Sequence, residues 1–390
     1  MNQVKYVFAQ VIEFLNRSKF NRIVAKYNGD YYVKIYSCWN QLLTLIFGQL
    51  GRCPSLRDCV ITLQAHCAKL YHLGIGKNVT RSNLAKANEQ RDYRIFEDFA
   101  YYMIAEARRK RATKVFDLEG NIYAFDSTTI DLCLSLFEWA HFRRKKGGIK
   151  VHTLFDVEAG VPTFAHITEA KVNDVNAMDK IPYEKGSYYV FDRGYNDYSR
   201  LYAIHKIGAT FIVRAKKNVK YKRLSWKRRM QHNVLSDSTI SFTGYYQQKD
   251  YPEQLRLVRY WDEENHREFL FLTNNFDLSA LEVAEMYHYR WQIELFFKWL
   301  KQHLKIKHFY GTSLNAVKIQ VYVAIITFCL VAIVQHDMKL ELTTYEVLQI
   351  LSVSLTSKTH LRDLLDKTNF QNDKDRFDYS EPLLFDLNFL

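Results

Sequence analysis

Apolar positions recur at helical spacing through most of the first 112 residues. "SLRDCVITLQAHCAKLYHL" and "FEDFAYYMIAEARRKRA" each carry an apolar face of period 3.6. Between them, "NVTRSNLAKANEQRDYRIF" offers Ser82 as the cap of a helix opening at Asn83, with Arg81, Lys86, Arg91 and Arg94 as positive charge. Near Asn121 the period changes. "NIYAFDSTTIDL" is β-branched and aromatic, a strand pattern; "IKVHTLFDV" and "VPTFAHITEA" follow as a hairpin around "EAG". "NDVNAMDKI" reads as a short helix opening on Asp174, "SYYVFDRGY" as a strand ending at Asp192, "NDYSRLYAIHKIG" as a helix closed by Gly208, and "ATFIVRA" as a further strand. From about 216 to 275 the strand-like runs "TISFTGYYQ", "QLRLVRYW" and "REFLFLTNN" follow a basic stretch.

"YHYRWQIELFFKWLKQHLKI", from Tyr287 to Ile306, predicts one helix that is apolar over most of its circumference. Tyr287, Arg290, Glu294, Lys298, Lys301 and Lys305 gather on its single polar side. A salt-bridged, solvated face explains such a stripe, because Glu294 and Lys298 stand four apart in the favourable order. A cleft wall explains it equally. "VYVAIITFCLVAIV", Val321 to Val334, is charge-free but shorter than a bilayer span, and predicts a buried helix.

The order strand, strand, strand, helix, strand, helix, strand predicts a mixed α/β sheet covered by helices, the order of the ribonuclease-H-like fold. The expected organisation is an N-terminal helical part (1–112), a first part of the core (113–215), a β-rich insertion (216–275), a second part of the core (276–345) and a helical, then acidic, tail (346–390).

Composition adds a partner. The net charge is +13, and "RAKKNVKYKRLSWKRRM", Arg214 to Met230, holds nine Lys or Arg and no acid. Such a balance suggests a polyanion, most often nucleic acid. The six cysteines show no C-x-x-C pair and read as reduced thiols, and the N-terminus lacks a signal-peptide pattern, so the cytosol is the expected compartment.

Three carboxylates then stand out: Asp126 on the first strand, Asp192 at the end of the fourth, and Glu294 on the later helix. In a ribonuclease-H-like sheet the first and fourth strands are neighbours, so the acids converge and would repel one another unless cations neutralise them. Each has a bland alternative, since Asp126 and Asp192 could form turns; Asp131 and Asp156 are rivals, the latter at the hairpin tip. "DRGY", Asp192 to Tyr195, together with Tyr287, Arg290, Glu294 and Lys301, resembles the signature of bacterial insertion-sequence DDE transposases, in the insertion sequence four branch: D-x-G-Y/F, then Y-x2-R-x3-E-x6-K. "FDSTTI" resembles that family's first-aspartate motif.

The resemblance implies that Asp126, Asp192 and Glu294 are catalytic and hold two Mg²⁺ ions, with Mn²⁺ as substitute. It implies that Tyr287, Arg290 and Lys301 contact double-stranded DNA at the transposon ends; Lys298 and Arg193 are further candidate contacts. Trp226, Trp261 and Trp291 are open candidates for holding a flipped base. The implied activity is cleavage and strand transfer by a DNA-bound homodimer acting on element ends and target DNA, in the bacterial cytoplasm with the nucleoid, and with no membrane partner. The alternatives are a domesticated, inactive DNA-binding protein and a metal-dependent nuclease without strand transfer.

Overall fold

The computed structural model describes residues 4–366, apart from 77–78, 113, 134–135, 138, 144–145 and 305–308. Lys305 and the acidic stretch beyond residue 366 therefore lie outside the described residues.

Six helices come first: α1 (Val7–Ile12), α2 (Arg17–Lys26), α3 (Cys38–Leu50), α4 (Leu56–Ala65), α5 (Arg81–Gln90) and α6 (Arg94–Arg111). Four of them begin on a side chain that accepts from the third amide of the helix: Asn16, Ser37, Ser55 and Thr80. The cap of α5 is thus Thr80 rather than Ser82. Thr80 is extended, so its hydroxyl reaches the Asn83 amide at 3.2 Å, while Ser82 is already inside the helix.

Ten strands follow: β1 (Ile122–Leu132), β2 (His141–Arg143), β3 (Lys146–Asp156), β4 (Val161–Glu169), β5 (Tyr188–Phe191), β6 (Thr210–Arg214), β7 (Tyr221–Trp226), β8 (Val234–Phe242), β9 (Leu255–Asp262) and β10 (Arg267–Thr273). Helix α7 (Tyr198–Ile207) links β5 to β6, and α8 (Tyr245–Asp250) lies between β8 and β9. Then come α9 (Ala280–Tyr289), α10 (Trp291–Leu304), α11 (Leu314–Asp337), α12 (Thr344–Ser354) and α13 (Leu361–Leu364).

All ten strands join one sheet. Its centre runs β4-β3-β1-β5-β6, with β3 antiparallel to β1 and to β4, and with β5 and β6 parallel to β1. This is the ribonuclease-H-like order. The segment expected as an insertion supplies β7 to β10, which continue the sheet rather than forming a second one. β10 pairs antiparallel with β6, and β9, β8 and β7 follow outward.

Both faces of the sheet are covered, so its inner strands are apolar almost throughout. Ala124, Val151, Val190 and Ile212 face the helical layer, in one core with α3, α6, α9, α10 and α11. Tyr123, Phe125, Phe191 and Phe211 face the other way, toward α7 and the 3-10 turn Asp174–Lys180. Helix α11 is long and apolar enough to cross a bilayer by length and composition, yet 94% of its most apolar window is buried inside the protein. It is the central beam of the helical layer, as the run Val321–Val334 predicts. The six cysteines form no disulfide.

Candidate active site

The register of β1 and β5 brings the first two acids together. Their last parallel pair is Phe125 with Phe191. One step further stand Asp126 and Asp192, where β5 ends and the chain turns away. Side chains alternate along a strand, so both acids leave on the face of Ala124 and Val190, toward α9 and α10. Carboxyl ends of parallel strands are the usual place for a site in such sheets. Asn196 anchors the turn behind Asp192: its side-chain amide donates to the carbonyls of Arg193 and Arg214 at 2.8 and 2.7 Å.

The segment Tyr287–Ile306, expected as one helix, is two over its described residues, 287–304. The break falls at Arg290, whose amide bonds back to the Tyr287 carbonyl and whose carbonyl accepts from Ile293, both over three residues instead of four. The polar stripe therefore has two characters. Its first part turns inward: Tyr287 is buried, and the Arg290 side chain is 13% exposed. Its second part faces out: Glu294 is 57% exposed, and Lys298 and Lys301 are exposed.

Two contacts tie these helices to the strands. The Tyr287 hydroxyl donates to Asp192 Oδ1 at 2.9 Å. The Arg290 guanidinium donates to Asp126 Oδ2 at 3.0 Å and to Glu294 Oε1. Glu294 thus turns back to Arg290, not forward to Lys298. Tyr287 is seated by its ring, which packs on Phe269 and Phe271 of β10. The added strands therefore support the site.

The electrostatics separate the two aspartates. Burial pushes the Asp126 carboxyl up to about 6, and the charges of Asp192 and Glu294 add to this, while Arg290 and the Ser127 amide pull the other way. Burial also acts on Asp192, but the Arg193 amide, the Tyr287 hydroxyl and the charges of Arg290 and Arg214 outweigh it and hold that carboxyl below its ordinary value. Tyr287 is pushed up to about 12, first by burial, and so stays a neutral donor. Burial would lower Arg290, but Tyr287, Asp126 and Glu294 more than offset it, so the guanidinium stays charged.

The structure thus links Asp192 to Tyr287, and Asp126 to Glu294 through Arg290. Arg193 is exposed on the turn after Asp192, and Lys298 and Lys301 line the outward face of α10. The rivals fall away. Asp156 caps the hairpin turn by accepting from the Glu158 and Ala159 amides, and pairs with Arg108 at 2.9 Å. Asp131 is exposed further along β1. Trp226 lies 62% exposed on the far edge strand, and Trp291 is 41% exposed beside Arg290.

Sequence reading passed over Arg214 and a polar cluster beneath Asp126. There the Ser127 hydroxyl donates to Asp174 at 2.6 Å, Lys150 pairs with Asp174 at 3.1 Å, and fully buried His152 stands 3.8 Å from the same oxygen. Asp174 was read only as a helix opener; no spacing rule links it to Ser127, because the contact is made across the sheet.

Three carboxylates are the donor type a hard divalent cation takes. Among the described residues no three metal-capable side chains converge as they stand. Arg290 holds the position between two of them. The donor chemistry fits a divalent ion; the present geometry is that of a guanidinium-neutralised cluster.

The sequence matches the family described as "Transposase DDE domain" over residues 117–330, and a domain of unknown function over residues 3–76. A putative transposase of Sinorhizobium fredii is 32% identical over 258 residues, 64% of this chain and 70% of that protein. A probable transposase for an insertion sequence element of Geobacillus stearothermophilus is 26% identical over 64% of this chain and 66% of its own length. Among solved structures, the piggyBac transposase in a synaptic complex with hairpin DNA is similar at a TM-score of 0.44 and 12% identity, over 94% of this chain and 82% of that one. The first match spans the whole stretch from Asp126 to Glu294, and this chain belongs to the DDE transposase family.

Proposed function

We propose that this protein binds the terminal inverted repeats of its own insertion sequence, cuts the DNA there and joins the freed ends to a target. The observation that carries the reading is the placement of Asp126 and Asp192 one step beyond the last pair of β1 and β5, with Glu294 linked to Asp126 through Arg290. Asp126, Asp192 and Glu294 would hold two Mg²⁺ ions, with Mn²⁺ as substitute. Bound there, the metal would activate an attacking oxygen and stabilise the leaving one.

The chain's own residues supply the rest. Tyr287 keeps Asp192 ionised and aimed at the site. Arg290 is suited to grip a phosphate bidentately, and Arg193, Lys298 and Lys301 offer charges along the DNA backbone. The N-terminal helical part is proposed to bind DNA through exposed Arg81 and Lys86. Arg91 and Arg94 are occupied elsewhere: Arg91 bonds Gln41 and the Tyr36 carbonyl, and Arg94 pairs with Asp92 at 2.6 Å. A homodimer holding two ends, acting at the bacterial nucleoid, completes the reading.

The test uses purified protein and DNA carrying the repeats that flank its gene, with Mg²⁺ or EDTA, resolved on a denaturing gel. Metal-dependent cuts at the repeat boundary are expected, with joined or hairpin products. They should vanish in Asp192→Asn while end binding persists. Cleavage that survives Asp192→Asn refutes the assignment of the acids. Binding without any cutting would favour an inactive DNA-binding descendant.

A further inference from the structure

Arg290 makes an arrangement that a DNA contact alone does not explain. Its guanidinium faces away from solvent and bridges Asp126 and Glu294. Of the two Asp126 oxygens, Oδ1 already accepts from the Ser127 amide at 2.8 Å, and Oδ2 is the one Arg290 takes. On Glu294 the atom taken is Oε1. A divalent ion held by Asp126, Asp192 and Glu294 would compete with the guanidinium for the charge of these carboxylates. The Arg290 Nε is buried and has no acceptor, so the guanidinium's donors are not all used. The backbone at Arg290 is held by its two three-residue bonds, which do not involve the side chain.

We propose that Arg290 is the internal counter-cation of the carboxylate cluster, and that it lowers the site's affinity for divalent metal until a DNA phosphate draws the guanidinium away. The inference rests on the reading of Asp126, Asp192 and Glu294 as metal ligands. Two aspartates side by side at the strand ends, with Glu294 reached through Arg290, need positive charge to coexist. In the DNA-free protein that charge is covalently attached and requires no metal. A phosphate offers Arg290 a bidentate partner, which frees Asp126 Oδ2 and Glu294 Oε1 for the ion. One guanidinium against three carboxylates leaves the cluster net negative, so the latch weakens metal binding rather than abolishing it. Metal and DNA then favour each other's binding, and by linkage each must raise the affinity for the other by the same factor. Such a latch would keep the DNA-free enzyme from assembling a nuclease centre.

The experiment titrates Mn²⁺ into the DNA-free full chain and follows free Mn²⁺ by electron paramagnetic resonance, with no catalytic readout. Arg290→Gln should bind Mn²⁺ about tenfold or more tighter than wild type, as expected when a unit positive charge is removed a few ångströms from the ion. Adding Asp126→Asn to that variant should cancel the gain. A terminal-repeat duplex should tighten Mn²⁺ binding to wild type, and tighten it far less in Arg290→Gln. Equal affinity in wild type and Arg290→Gln, lost in both on Asp126→Asn, would overturn the latch and leave the metal-site reading intact. Mn²⁺ binding indifferent to Asp126→Asn in every background would remove that reading and the latch together. If Arg290→Gln does not fold, as judged by near-ultraviolet circular dichroism, Arg290→Lys replaces it. The lysine keeps the charge but lacks the planar fork that spans both acids, so intermediate affinity is expected, and affinity equal to wild type overturns the proposal.

Discussion

The site is organised by what each polar group is allowed to bond. Tyr287 has a buried ring and one free hydroxyl, and spends it on Asp192. Arg290 carries a charge that burial would penalise if it stood alone, and it stands between Asp126, which has the same difficulty, and the more exposed Glu294. The reverse case lies on the other face of β1. His152 is fully buried, and desolvation holds it down to about 4, with Asp174 opposing and His166 and Lys150 reinforcing the shift. Its Nε2 is 2.9 Å from the Thr168 hydroxyl. The folded protein therefore keeps His152 neutral where the unfolded chain, with the ordinary value of 6.5, takes up a proton. Between those values the unfolded state binds more protons, so stability falls as pH drops from about 6.5 toward about 4. Urea unfolding across that range should show the slope, and His152→Gln should flatten it. An unchanged slope would mean that other groups carry the acid sensitivity.

At the scale of elements, the junction between α9 and α10 decides the chemistry. A continuous helix would send Tyr287, Arg290 and Glu294 along one straight face. The tight turn at Arg290 instead lets the first two reach in to the strands while Glu294 remains half in solvent. The added strands hold this junction in place. Arg256 on β9 is 2% exposed and forms a paired contact with Asp237 on β8, at 2.8 Å for each bond. It also donates to the Leu278 carbonyl, just before the Ser279 cap that starts α9. Burial would raise Asp237, but Arg256 and Lys227 hold it below its ordinary value. Removing one partner of a buried pair leaves the other charge stranded, at a cost of about 3–5 kcal/mol. Asp237→Ala should therefore lower unfolding stability by that order, and the double change Asp237→Leu with Arg256→Met should recover much of it. A loss below about 1 kcal/mol in the single variant would show that water and the Asn275 and Leu278 carbonyls satisfy the stranded Arg256.

At the scale of the whole molecule, charge is distributed against the partner. The net charge is +13, and Lys216, Lys217, Lys220, Lys222, Arg223, Arg228 and Arg229 are exposed on or beside the outermost strand β7. An edge strand so loaded with cations resists pairing with another sheet and leaves a basic rim. Binding to end DNA should fall steeply with salt, by about 10³–10⁵ between 50 and 200 mM if six to ten phosphates are engaged. Replacing Lys222 and Arg223 by Gln should reduce the slope of log K against log salt by about 2. A slope indifferent to these changes would place the DNA on another face.

Much of this was legible along the chain. Apolar periodicity was enough for the strand order, for the buried α11 and for the helix closed by Gly208, because burial on one face or all faces leaves a local trace. The candidate carboxylates and their companions could be named because they fall at strand ends and at set helical spacings. Other features were set by partners distant in sequence, which no local pattern encodes. The cap of α5 depended on which hydroxyl sits in extended backbone. Arg91 was drawn inward by Gln41 and the Tyr36 carbonyl. The break at Arg290 coincides with its bond to Asp126 on β1 and with the seating of Tyr287 on Phe269 and Phe271 of β10. The sequence by itself determined most of the strands and helices, though not β7 within the basic stretch or α8 at the end of "TISFTGYYQ", and which residue types could do phosphate chemistry. Only the tertiary structure decided which of those residues meet, because a buried charge takes the partner that packing delivers and not the one that stands nearest in the chain.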